Sequence, residues 1–160
     1  MEQRCSLTVV TILSQPLIDR QLHSPLLYTY RENSNTASDF ASLLNGLFDG
    51  GYLDPDTYLI MDNATVHNDN LDTEQAFNKL ESHGVKIRRL PTYSPELNPC
   101  ELVFAFVKNT LRSSPKRVEV DGRMVDVEFR TRLEEALSLV THEQVEKYYE
   151  KCKRAESYRK

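Results

Sequence analysis

The run Tyr58–Met61 (YLIM) is wholly apolar and stops abruptly at Asp62-Asn63, and few folds accommodate such a segment. A short apolar run of this kind reads as an interior strand covered on both faces. The pattern on either side is helical. Ala37, Phe40, Leu43, Leu44, Leu47 and Phe48 recur at three- and four-residue intervals after the capping residues Asn33 to Thr36. Asp39 stands where a capping-box partner of Thr36 belongs, and Asp49-Gly50-Gly51 supplies the stop. Residues 70–82 repeat the helical spacing, with Leu71, Phe77 and Leu80 inward and Gly84 as the stop. Residues 85–90 (VKIRRL) alternate apolar and basic side chains, which predicts a strand with one exposed face. Strands and helices in alternation place the chain in the α/β class.

The flanks extend this reading. Residues 6–14 (SLTVVTILS) form a β-branched, apolar strand, and residues 26–30 a shorter one beside Pro25. A loop over 91–99 leads into a helix whose buried face carries Leu97, Cys100, Phe104, Val107 and Leu111. Residues 118–127 fit a hairpin around Asp121-Gly122. A helix over 128–139 puts Phe129, Leu133, Ala136, Leu137 and Val140 on one face, and Thr141 with Gln144 caps a last helix. At 160 residues the chain suits one domain. Its net charge of −4 means that nucleic-acid binding cannot be argued from total charge. No 18-residue apolar stretch spans a membrane, and residues 1–6 lack a signal peptide's apolar run. Cys5, Cys100 and Cys152 are far apart and form no CxxC pair, so neither a disulfide framework nor a zinc site is expected, in keeping with an intracellular location.

Two of the 24 acids stand apart. Asp62 follows directly on an apolar strand, so its backbone is fixed while its side chain reaches the carboxyl edge, where open α/β sheets carry their chemistry. Glu101 falls in the first turn of an apolar helix, introduced by a loop that ends in Pro99. Proline is tolerated there because a first-turn N–H has no helical partner to lose. Each acid also has a plain reading: Asp-Asn as a turn former, and glutamate as a favourable charge at a helix start.

The surrounding words decide between them. Residues 59–67 (LIMDNATVH) resemble the strand-plus-DNAxxH element of mariner-type DNA transposases, and residues 90–101 (LPTYSPELNPCE) resemble that family's PxYSPxLNPxE element. Residues 102–112 (LVFAFVKNTLR) continue as its helix does, and the two acids lie 101 − 62 = 39 positions apart, close to the family's spacing. The resemblance implies a ribonuclease H-like mixed sheet flanked by helices, with residues 1–112 forming a partial, N-terminally truncated DDE domain and 113–160 its helical extension. It also implies metal-dependent DNA cleavage and strand transfer on two Mg²⁺ (or Mn²⁺) ions held by three carboxylates, of which Asp62 is the second and Glu101 the third. DNA is the implied partner, a homodimer the implied assembly as in related transposases, and the nucleus the implied location in a eukaryote.

The family's first aspartate, on the central first strand, has no counterpart here. Asp19 falls in a loop and Asp39 at a helix start, so neither sits at a strand end. The alternative reading is therefore a domesticated, non-catalytic module that binds nucleic acid or protein. Supporting roles fall to Asn63, His67, Tyr93, Ser94 and Asn98, whose plain readings are turn or loop hydrogen bonds. Lys86, Arg88 and Arg89 on one strand, and Lys108, Arg112, Lys116 and Arg117 after Glu101, are candidates to line a DNA path or else form solvated faces.

Overall fold

A computed structural model describes residues 6–13, 24–63 and 70–157. The mixed α/β character read from the sequence is present. Strand β1 (Ser6–Thr11) pairs with β2 (Leu26–Arg31), and the Ile12 N–H continues that pair by donating to Pro25 O at 2.9 Å. The chain divides into two compact units, Met1–Thr8 with Tyr28–Asn98, and Val9–Leu27 with Pro99–Lys160.

In the first unit, α1 (Ala37–Asp49), β3 (Tyr58–Met61), α2 (Leu71–Ser82) and β4 (Lys86–Arg89) succeed one another. The Thr36–Asp39 capping box forms as the sequence predicts: the Asp39 N–H donates to Thr36 Oγ1 at 3.2 Å, and the Thr36 N–H to Asp39 Oδ2 at 2.8 Å. Helix α1 ends at the glycine pair, where Gly51 has φ +72° and the Tyr52 N–H reaches back to Leu47 O at 3.0 Å. Ala41, Leu44 and Leu47 on α1 and Thr73, Ala76 and Leu80 on α2 are buried where the two helices pack. The Phe40 and Phe77 rings meet edge to face at 6.2 Å, and the Thr73 hydroxyl donates to Ala37 O at 3.2 Å. Strands β3 and β4 are parallel, which requires a crossover, and α2 provides it. Gly84 closes the crossover at φ +89°, with Pro55 Cβ only 3.4 Å from the place a side chain would occupy.

Two expectations change here. Leu71 is 66% exposed: it opens α2 just after the Asn70 cap, and the inward stripe falls on Thr73, Ala76 and Leu80 instead. The YLIM strand is covered on one side only, with Tyr58 58% and Ile60 48% exposed. Among the described residues the strands pair two by two, β1 with β2, β3 with β4, and residues 117–120 with 123–126.

The second unit is built on α3 (Pro99–Ser113), with α4 (Phe129–Ser138) and α5 (His142–Ser157) packed against it. Val103 and Val107 are buried on α3, Leu133, Ala136 and Leu137 on α4, and Val145 on α5. Phe129, expected inward, is exposed at the first position of its helix. Thr141 and Gln144 form the expected reciprocal cap, with N–H···O distances of 2.9 and 3.3 Å. The hairpin also forms, with β5 (Arg117–Val120) and β6 (Arg123–Asp126) joined through Asp121 at φ 49° and Gly122 at φ 75°. Two consecutive positive φ values make a type I′ turn, whose twist matches that of its strands.

Arg132 is the one charged side chain buried among the described residues, at 8% exposure. From α4 it donates Nη2 to Leu111 O at 2.6 Å and Ser114 O at 3.2 Å, and Nε to Ser114 Oγ at 3.0 Å. Carbonyls at a helix end have no partner within the helix, and a guanidinium there also complements the dipole. Arg132→Met is expected to lower stability by about 2–3 kcal/mol, since hydrogen bonds to charged groups contribute more than neutral ones. A urea unfolding midpoint unchanged by the substitution would exclude that role.

Tyr149, in the same unit, lies 3.4 Å from Thr11 Oγ1, and burial pushes its phenol above the ordinary value. An acid whose folded pKa exceeds its unfolded one holds stability in full below the unfolded value, about 10, and loses it as pH rises towards the folded value. Stability is therefore expected to fall through that alkaline window in the wild type and less steeply in Tyr149→Phe, read from thermal melts between pH 8 and pH 11, roughly one to two units on either side of the unfolded tyrosine pKa.

Candidate active site at the edge of a parallel strand pair

Parallel strands release the chain at the same end, and this places the first candidate acid. The β3–β4 register pairs Tyr58 with Lys86, Leu59 with Ile87, Ile60 with Arg88 and Met61 with Arg89. The pairing runs on at both ends, with the Lys86 N–H donating to Thr57 O and the Leu90 N–H to Met61 O, each at 2.8 Å. Asp62 and Leu90 therefore leave the pair at one edge. Asn63 ties the two exits together, its side-chain amide donating to Leu90 O. Asp62 is half-buried at this junction and Asn63 is exposed.

From Leu90 the chain enters the proline-rich loop. Ser94 is buried, its hydroxyl donating to Thr92 O at 3.1 Å. Pro95–Leu97 forms a single 3₁₀ turn, with the Leu97 N–H on Ser94 O at 3.1 Å and the Asn98 N–H on Pro95 O at 3.0 Å. Asn98 is extended and delivers Pro99 to the first position of α3, as the sequence predicts. Glu101 is exposed in the first turn of that helix, where the dipole favours a carboxylate. Tyr93 is unusual: it has φ +55°, a region where bulky residues are strained, and its side chain is 97% exposed.

Of the sequence-predicted site residues, Asp62 and Asn63 lie together with the exit into the Tyr93–Asn98 loop in the first unit, while Glu101 belongs to the second. His67 and Asp19 lie outside the described residues. Asp39 is engaged in the α1 cap and pairs with Arg31, the last residue of β2. Among the described residues, no three His, Cys, Asp or Glu side chains gather into a group that could hold a metal ion. No helix among them is long and apolar enough to cross a membrane.

The basic side chains separate by strand alternation. Lys86 and Arg88 lie over the ring of Tyr58, at 5.2 and 6.0 Å from its centroid, whereas Arg89 lies over Phe77 at 5.8 Å. Lys86 also pairs with Asp56 at 2.7 Å, a hydrogen bond and charge that raise the lysine and lower the carboxyl from their ordinary values. Tyr58 belongs to the apolar run yet is exposed. It stands opposite Lys86 and Ile60 opposite Arg88, and this alternation sets Tyr58 on one outward face with both cations. On α3, Lys108 is exposed and Arg112 donates to Asn109 Oδ1 at 3.4 Å.

A family model described as DDE superfamily endonuclease matches residues 18–120, a span that includes Asp62, the 90–98 loop and Glu101. No curated protein matches the chain.

Tyr93→Gly removes the backbone strain at little packing cost, since the ring touches solvent almost everywhere. The variant is expected to be as stable as the wild type or more stable by roughly 0.5–1 kcal/mol. A clear loss of stability in denaturant titration would mean that the ring holds the loop together.

Proposed function

The chain belongs to the DDE superfamily of endonucleases, and we propose that Asp62 and Glu101 are two of the three carboxylates of a metal-dependent centre that cuts and joins DNA in the manner of mariner-type transposases. The observation that carries this reading is the parallel β3–β4 register, which brings Asp62 and the exit into the proline-rich loop to one strand edge. In a ribonuclease H-like arrangement that edge is where the acids converge. Mariner-type membership rests on the two sequence elements at 59–67 and 90–101.

The two carboxylates fit Mg²⁺ or Mn²⁺ in kind, since both ions take hard oxygen ligands. They fall short in number of what a two-ion centre takes, and among the described residues no three His, Cys, Asp or Glu gather into a group that could hold a metal ion. A bound ion of this kind would polarise phosphate and activate the attacking oxygen. What these residues themselves do is narrower. Asn63 fixes the exit on which Asp62 sits, Pro99 starts the helix that carries Glu101, and Ser94 shapes the loop between. Tyr93 is presented to solvent, where its hydroxyl can meet a DNA phosphate. Lys86 and Arg88, with Tyr58 between them, form a compact cationic face for the backbone, and Arg89, Lys108 and Arg112 are further contacts.

The chain alone is expected to bind duplex DNA with an affinity that falls steeply with salt, and Arg88→Glu to reduce the salt slope by about 1. Supercoiled plasmid with Mg²⁺ is expected to remain intact. Robust nicking that disappears in Asp62→Ala would place Asp62 in the centre and overturn the expectation that this chain lacks a third acid, whereas nicking indifferent to Asp62→Ala would overturn the assignment of Asp62. Failure to bind DNA at low salt, by fluorescence anisotropy, would favour a protein-interaction module.

A further inference from the structure

We propose that the β5–β6 hairpin is a self-association element, through which two copies of this chain pair β5 against β5 in antiparallel register about Val118. The family resemblance implies a homodimer but no surface for it, and the choice of this hairpin rests on its own geometry alone. All eight strand residues of the hairpin are exposed, and among the described residues β5 has no strand neighbour except β6. A two-stranded ribbon is marginal by itself, and an open edge is a template for another strand.

The register follows from the hydrogen-bond pattern. The two-residue turn makes Val120 and Arg123 a bonded pair, and antiparallel bonding alternates, so Val118 with Val125 also bonds inward. The Val127 N–H on Lys116 O at 2.9 Å continues that alternation. The outward N–H and C=O groups of β5 are then those of Arg117 and Glu119. A twofold axis perpendicular to the sheet at Val118 sets Arg117 of each copy opposite Glu119 of the other and satisfies all four outward groups of each edge. The neighbouring registers fail: centring on Arg117 opposes two arginines and brings in Pro115, which has no N–H, and centring on Glu119 opposes two glutamates. Self-pairing through β6 gains no such match, since its outward residues are Met124 and Asp126.

The resulting four-stranded sheet has two distinct faces. One gathers Val118, Val120 and Val125 from both copies, side chains that are exposed in the single chain. The other carries a charge ladder in which Arg117, already paired with Asp126 across the hairpin, also meets the second copy's Glu119. A contact of this size belongs with weak interfaces, so the dimer is expected to form between roughly 10 µM and 1 mM.

Sedimentation equilibrium of the full chain across that range tests the pairing. Arg117→Glu and Glu119→Arg each turn two attractive cross-strand pairs into repulsive ones and are expected to weaken dimerisation roughly tenfold or more. An equimolar mixture of the two variants restores the opposite charges at both positions across the dimer, so it is expected to pair more tightly than either variant alone, as is the double variant R117E/E119R. A deficit remains in both, because the glutamate that replaces Arg117 then faces Asp126 in its own hairpin. Circular dichroism of each variant checks that the fold is kept. A wild type that stays monomeric throughout, a dimer indifferent to the single reversals, or a mixture that does not pair would each overturn the proposal.

Discussion

The parallel pairing of β3 with β4 is the constraint on which the first unit depends. Two parallel strands cannot be joined by a turn, so the chain must travel back along the pair before the second strand begins. Helix α2 makes that journey, and its burial against α1 provides most of the unit's interior. Gly84 is needed because the return must bend sharply beside Pro55. Once the pairing is set, the two strand exits are neighbours, and a single asparagine amide is enough to tie them. The position of Asp62 thus follows from the hydrogen-bonding habit of parallel strands.

The features legible in the sequence are those whose cause is local. Thr36 with Asp39, Thr141 with Gln144, Asp121-Gly122 and Pro99 each hold the hydrogen bonds or dihedral angles that their side chains dictate within four residues. The apolar run at 58–61 was likewise right as a strand, to the residue. What it could not disclose was how many neighbours that strand has. Tyr58 and Ile60 look like interior residues by composition, yet β3 has only β4 beside it among the described residues, and its second face is open. Leu71 and Phe129 were misplaced for a related reason: the first residue of a helix can point off the stripe that the later turns define.

The site shows the same division. Asp62 and Glu101 stand out in the sequence because each sits at a boundary between element and loop, and the structure keeps both boundaries. The left-handed backbone of Tyr93 was not legible, because nothing about a tyrosine announces a positive φ. Nor was the burial of Arg132, which depends on a helix end some twenty positions earlier arriving beside it. Cations are read as surface unless a long-range partner removes them from water.

That buried guanidinium has a mechanical side. It grips α3 at the end opposite Glu101, and the whole helix is 15 residues long. At 1.5 Å per residue the rod is about 22 Å, so a pivot of some five degrees at the gripped end swings the first turn by roughly 2 Å. Displacements of that order are large on the scale to which reacting groups must be positioned. The direction in which Glu101 leaves its helix is thus set in part from the far end of that helix, by a residue some thirty positions away in the chain.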